Sequence, residues 1–187
     1  MGKLRVLFQG DSITDMGRDR GDIRNMGSGY PLFVASNFRA ARPNFDIDFF
    51  DLGISGDRVR DLRARWQSDC LDLRPDVLSV LIGINDTWRR YDSSDPSDTE
   101  EFERVYRSLL EDARRENPGL KIISMEPFVL HVSEERASWR EDLDPRIQAV
   151  RRVAKDYADA FIPLDGLLNA AAVDTCPEQW APDGVHP

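Results

Sequence analysis

The sequence contains only two histidines, His131 and His186, and one of them follows an aspartate by three positions in Asp183-Gly184-Val185-His186-Pro187. That spacing lets the carboxylate meet one ring nitrogen within a single turn, which leaves the other nitrogen to take a proton from a nucleophile. The matching nucleophile is Ser12, in Gly10-Asp11-Ser12, placed after an apolar run and behind a glycine that permits a tight turn. Acyl transfer through a serine also needs N–H donors for the oxyanion. Gly56 offers an unobstructed backbone N–H and Asn85 a side-chain amide. Each residue also has a plainer reading: Ser12 as a helix cap, Asp183 and His186 as an ordinary turn, Gly56 as a turn glycine, Asn85-Asp86 as a cap. Their arrival together is what favours chemistry.

The elements around them bring these groups to one edge. Leu4 to Gln9, Phe45 to Leu52, Asp76 to Ile82, Leu120 to Met125 and Ala160 to Leu164 read as strands, most of them ended by glycine or proline. Helical spacing occupies Tyr30 to Ala41, Val59 to Leu73, Thr99 to Glu116 and Pro145 to Tyr157. Strands alternating with helices predict a parallel sheet covered on both faces, an α/β three-layer α/β/α sandwich of flavodoxin-like kind with a five-stranded parallel sheet. Ligands of such sheets bind outside the carboxyl ends of the strands, and Ser12, Gly56 and Asn85 each follow a predicted strand. Tyr91 to Asp98 reads as a polar, mobile loop. Val59, Leu62 and Trp66 form a core-facing stripe with the intervening arginines on a solvated face; a homo-oligomer interface is the alternative.

One domain spanning residues 1–187 is expected, without repeats or linkers. With 25 basic and 34 acidic side chains the net charge is −9, and no basic stripe interrupts the acidity, which disfavours nucleic acid as a partner. No apolar run reaches membrane-spanning length, and the N-terminus leads into a strand instead of a signal core, so a cytoplasmic location is expected. Two cysteines, Cys70 and Cys176, form no disulfide framework; Cys70 reads as core and Cys176 as an exposed loop thiol. No cofactor and no metal are expected, because His131, near Glu126 and Glu134, lacks a second His or Cys. Gly53-Ile54-Ser55-Gly56-Asp57 fails as a nucleophile elbow, since Asp57 stands where glycine is needed. Gly27-x-Gly29 lacks a third glycine and a preceding strand, so it is no dinucleotide fingerprint.

Gly10-Asp11-Ser12-Ile13, Gly56, Gly83-x-Asn85-Asp86 and Asp183-x-x-His186 occur in the order of the four blocks of the GDSL or SGNH hydrolases, and the chain resembles that family from Gly10 to Pro187. The resemblance implies the SGNH hydrolase fold, with Ser12 as nucleophile, His186 as base, Asp183 as its orienter, and Ser12 N–H, Gly56 N–H and Asn85 as the oxyanion hole. Longer stretches, GDSITDMGR, GISGDRVRDLRARW, IGINDTWRRYD and DGVHP, are similar to acetylxylan esterases of this superfamily. They imply a small acylated substrate, an acetylated carbohydrate such as a xylo-oligosaccharide. Asp11, Trp88, Tyr91, His131 and Trp180 are then the expected substrate contacts. The family carries a further helix after the His-Pro pair, so His186 is expected to need such a tail or to sit on a fraying end. Two other functions compete. A lysophospholipase or thioesterase would need an apolar channel, against which the polar Asp15 to Asn25 segment speaks, and a catalytically silent carbohydrate-binding protein would have lost one of Ser12, Asp183 and His186.

Overall fold

Residues 3–187 are described by a computed structural model. Apolar residues stand side by side along the strands, so the sheet buries side chains on both faces. In β1 (Leu4–Gly10), Leu7 points into one core, whereas Val6 and Phe8 point into another. The remaining strands are β2 (Ile47–Asp51), β3 (Val77–Leu81), β4 (Lys121–Met125) and β5 (Ala160–Ile162), all parallel, in the order β2-β1-β3-β4-β5. The order reverses between β1 and β3, which makes their carboxyl ends the switch point at which such sheets bind ligands.

Three helices cover the Leu7 face. From α3 (Val59–Trp66) come Val59, Leu62 and Trp66; from α5 (Thr99–Glu116), Phe102, Tyr106, Leu109, Leu110 and Ala113; from α7 (Arg140–Tyr157), Ala149, Val150 and Val153. The opposite face carries α2 (Tyr30–Ala41), which inserts Ala35 against Val6 and Phe8. Four shorter helices complete the chain: α1 (Ser12–Asp15), α4 (Ile84–Asp92), α6 (Glu134–Ser138) and α8 (Leu164–Ala171). The fold is therefore the predicted three-layer sandwich. A third cluster, with Ile13, Leu81, Ile84, Phe128, Leu130, Trp139, Ala181 and Val185, lies beneath the carboxyl edge of the sheet and supports the site. No helix among the described residues is long and apolar enough to cross a membrane.

Several expectations change in detail. The helix expected over Val59 to Leu73 is α-helical only to Trp66 and widens into a π turn over Gln67–Leu71, before Arg74 takes a left-handed conformation ahead of Pro75. Helix α7 begins at Arg140 rather than Pro145. Proline inside a helix costs about 3 kcal/mol, and complete burial of Trp139 and Leu143 on the preceding turns offsets it. Tyr91 and Asp92 belong to α4 instead of a loop, and the rest of that segment is anchored: the Asp95 carboxylate pairs with Arg58 at 2.8 Å and the Ser97 carbonyl accepts from Arg146. The stripe Val59, Leu62, Trp66 is core, as read.

Candidate active site

Asp11 ends β1's approach and caps α1, its Oδ1 accepting the Ile13 N–H at 3.0 Å. Ser12 thereby becomes the first helical residue, half-buried at the sheet edge, with a backbone N–H that has no intrahelical acceptor. Its Oγ lies 2.7 Å from His186 Nε2, and His186 Nδ1 lies 2.7 Å from Asp183 Oδ2. The other Asp183 oxygen accepts the backbone N–H groups of Val185 and His186, at 2.9 and 2.8 Å. Burial works against ionisation of Asp183, yet these hydrogen bonds outweigh it and hold the carboxyl below its ordinary range. An ionised Asp183 accepts from Nδ1–H, which assigns the tautomer and leaves Nε2 as the acceptor facing the Ser12 hydroxyl.

His186 does not hang on a loose end. Ala181 and Val185, flanking Asp183, are fully buried in the cluster beneath the site, and the Leu130 N–H donates to the Gly184 carbonyl at 2.9 Å. Arg136 adds a third hold: its Nε donates to the Asp183 carbonyl at 2.9 Å while its guanidinium lies 4.0 Å from the Trp139 ring and 4.8 Å from Trp88.

The loop after β2, tied to α1 through Ser55, carries Gly56 with φ +90, a conformation that L side chains rarely adopt. Asn85, in the first turn of α4 and 3% exposed, donates one amide hydrogen to the Asp57 carbonyl at 3.1 Å. Its second hydrogen is thereby oriented without being consumed. Asp86 accepts the Val59 N–H at 3.0 Å and so joins the start of α4 to that of α3. Arg65, expected on a solvated face, is instead a bracing group. Its guanidinium donates to Asp57 Oδ2, Gln9 Oε1, Asp69 Oδ2 and the Gly10 carbonyl, linking the strand before Ser12 to the loop after Gly56. Burial pushes the Asp11 carboxyl up to about 7, with Asp86 and Asp57 adding repulsion, and pushes Asp86 up to about 6.

The five expected substrate contacts divide. Asp11 is wholly buried as the α1 cap, so it presents no surface to a substrate. Tyr91 stacks on Trp139, with ring centroids 5.4 Å apart, and donates its hydroxyl to the Ser138 carbonyl, a packing role. Trp88 remains beside the triad, half-buried, its ring centroid 6.0 Å from that of His186. His131 is exposed and borders Leu130, which holds the loop carrying Asp183. Trp180 lines an apolar cleft of about 430 Å3 that adjoins the triad through Ile13 and Pro187, the neighbours of Ser12 and His186, and is lined also by Met16, Tyr30, Phe33 and Leu168. No role at the site was expected for Arg136, Arg65, Asp15 or Arg89. The Arg89 guanidinium reaches toward Gly56, 4.0 Å from where a Cβ would stand there, from one helical turn beyond Asn85.

A doubly covered parallel sheet whose switch point joins a Ser–His–Asp relay to oriented N–H donors defines the class of the acyl hydrolases. Residues 8–187 match the GDSL-like lipase/acylhydrolase family, and the chain belongs to that family. It is a carboxylic ester hydrolase. An acetylxylan esterase of Geobacillus stearothermophilus is 35% identical over 191 residues, covering 98% of this chain and 86% of the relative. The solved structure of Axe2, an acetylxylan esterase of the same organism, superposes with a TM-score of 0.89 at 34% identity, covering 100% of this chain and 88% of the other. A candidate GDSL-like lipase of Parabacteroides merdae superposes with a TM-score of 0.93 at 36% identity, covering 99% and 88% of the two chains. Structures of Axe2 described as catalytic mutants alter a serine, an aspartate and a histidine, the last two being three positions apart in that chain.

Proposed function

We propose that the protein removes acetyl groups from acetylated xylo-oligosaccharides or closely related carbohydrates, through an acyl-enzyme formed on Ser12. The observation that carries this reading is the unbroken relay from Ser12 Oγ to His186 to Asp183, with both links at 2.7 Å. Ser12 Oγ attacks the ester carbonyl as His186 Nε2 takes its proton, and the sugar hydroxyl leaves with that proton. Ser12 N–H, Gly56 N–H and the Asn85 amide receive the negative charge that develops on the carbonyl oxygen. Water then attacks the acetyl-Ser12 ester with His186 again as base, which releases acetate and restores the serine. Trp88 flanks the triad and offers a face on which a sugar ring can stack. The identity to acetylxylan esterases over nearly the whole chain supports the carbohydrate substrate.

The test is acetate release from acetylated xylo-oligosaccharides, with p-nitrophenyl acetate, octanoate and palmitate compared in parallel. Acetyl esters are expected to be cleaved best. The apolar cleft beside Ile13, the neighbour of Ser12, favours a second reading in which a longer acyl chain is accepted. A preference for octanoate or palmitate would move the protein to the lysophospholipase or thioesterase branch.

A further inference from the structure

The N–H of Gly56 can stabilise an oxyanion only if it is held in a fixed direction relative to Ser12, because displacement of about 1 Å in a catalytic constellation can cost on the order of 10²-fold. Packing does not supply that fixity. Ser55, immediately before Gly56, is exposed, and Gly56 itself is only partly buried. Glycine at that position also leaves the backbone the widest conformational choice.

Asn85 and Arg65 hold Asp57 on one side of Gly56, and the anchor on the Ser55 side comes from the nucleophile's own helix. Asp15, three residues after Ser12 and 2% exposed, accepts both the backbone N–H and the hydroxyl of Ser55 on Oδ2, at 2.9 and 2.8 Å. Arg20 pairs with the same oxygen and compensates its charge. Burial would raise the Asp15 carboxyl, but Arg20 and Ser55 outweigh it and hold it below the ordinary carboxylate range. The two segments also meet at Gly53, where a Cβ would stand 2.5 Å from the Asp15 amide nitrogen and 2.7 Å from Thr14 Cβ. No other residue allows the loop to lie this close to α1. Arg18 Nε and Asp51 Oδ1 then fix the Gly53 carbonyl and N–H, each at 2.9 Å.

We propose that Asp15 is a positioning residue of the oxyanion hole: by holding Ser55 from the helix that carries Ser12, it sets the direction of the Gly56 N–H. The inference rests on the assignment of Ser12 and Gly56 made above. Because its effect falls on charge that exists only in the transition state, it should appear in kcat and not in KM.

The experiment measures kcat and KM on p-nitrophenyl acetate for the full chain carrying Asp15→Ala, Asp15→Asn, Ser55→Ala or Ser12→Ala, with each rate corrected for folded fraction by thermal melts. Asp15→Ala is expected to lower kcat by roughly 30- to 300-fold, at or below the roughly 10²- to 10³-fold cost of one oxyanion donor removed outright, because the donor is displaced and not deleted, with KM within about 3-fold. Asp15→Asn keeps an oxygen that accepts from both Ser55 donors, so it should recover kcat to within about 5-fold of wild type. Ser55→Ala, which loses only the hydroxyl bond, should lie between the two. A kcat for folded Asp15→Ala within about 3-fold of wild type would overturn the proposal. So would an Asp15→Asn loss equal to that of alanine. Should Asp15→Ala fail to fold, Ser55→Ala decides: a fall in kcat at constant KM supports the proposal, and an unchanged kcat refutes it. Activity surviving in Ser12→Ala would instead overturn the site assignment, which separates the two failures.

Discussion

Replacing Asn85 with alanine separates two contributions of one buried side chain. Its amide donates one hydrogen to the Asp57 carbonyl at 3.1 Å, and the second is available to the oxyanion. Loss of the second should cost about 10² to 10³ in kcat, or roughly 2.7 to 4 kcal/mol of transition-state stabilisation. Loss of the first leaves a carbonyl without its partner and should cost about 1 kcal/mol of folding stability. For a domain of 187 residues that lowers the melting temperature by roughly 2 to 4 °C. The rate effect is thus far larger than anything that partial unfolding at room temperature could produce. Asn85→Asp keeps the shape but turns the donor into an acceptor, setting a carboxylate against the Asp57 carbonyl and beside buried Asp86; it should lower kcat at least as much and stability more. Steady-state kinetics on p-nitrophenyl acetate, corrected for folded fraction by thermal melts, give both quantities. kcat and kcat/KM should fall together with little change in KM. A kcat within about 3-fold of wild type in both variants would remove Asn85 from the oxyanion hole and leave it a loop brace.

Ser12→Ala should reduce ester hydrolysis by on the order of 10⁴ to 10⁶ while moving the melting temperature by no more than about 2 °C, since only a half-buried hydroxyl is lost; residual activity above about a tenth of wild type would contradict the nucleophile assignment. Arg65→Met should lower stability by about 2 to 3 kcal/mol, because hydrogen bonds to Asp57, Gln9, Asp69 and Gly10 are lost together; denaturant unfolding at unchanged midpoint would refute the bracing role. Stability should fall as pH rises from about 5 to 7.5, because burial raises the carboxyls of Asp11 and Asp51 to about 7 and of Asp86 to about 6. A carboxyl raised on folding holds its proton more tightly in the folded state, so its stabilisation is present at acidic pH and is lost as pH rises through the folded value. Asp183 and Asp159, held low in the fold, are ionised in both states above pH 5 and do not oppose this. Thermal melts across that range should slope downward, less steeply in Asp51→Asn; a flat or rising profile in the wild type would show that these carboxyls are not protonated in the fold.

Helices with their own caps were legible in the sequence to the residue. The expected Tyr30 to Ala41 and Thr99 to Glu116 are the observed α2 and α5, the first opened by Gly29 and Pro31, the second by Asp98, whose side chain accepts the Glu101 N–H. Helices α1, α4, α6 and α8, of four to nine residues, were not predicted. Isolated helices of that length are marginal in water, and what stabilises them here is contact with distant residues, as when Ile84 of α4 enters the cluster that also buries Trp139 and Val185. Pro145 misled for the opposite reason. It marks a helix start locally, but the helix continues through it because the residues before it are buried.

The site divides along the same line. Ser12, Asp183 and His186, which the fold joins in one hydrogen-bonded relay, could be singled out because acyl transfer asks for these residue types together, and Gly56 and Asn85 were expected beside them because each follows a strand whose end lies at the same sheet edge as Ser12. Asp15, Arg65 and Arg136 carry no such signal. Acidic and basic residues on helices are most often solvated, and the groups that these three fix lie 40, 56 and 47 positions away along the chain, at Ser55, Gln9 and Asp183. A local hint existed for Arg65 alone, which sits directly before Trp66 at the edge of a buried stripe, where a long side chain can run along apolar surface with its guanidinium at the sheet edge. The reacting groups are thus specified by residue type and order, while the rigidity that makes them effective is specified by pairings that exist only once the sheet has formed. Selection on rate in this fold should therefore extend to a brace such as Asp15, since an oxyanion donor displaced by a lost brace forfeits part of the transition-state hydrogen bond that its outright removal would cost.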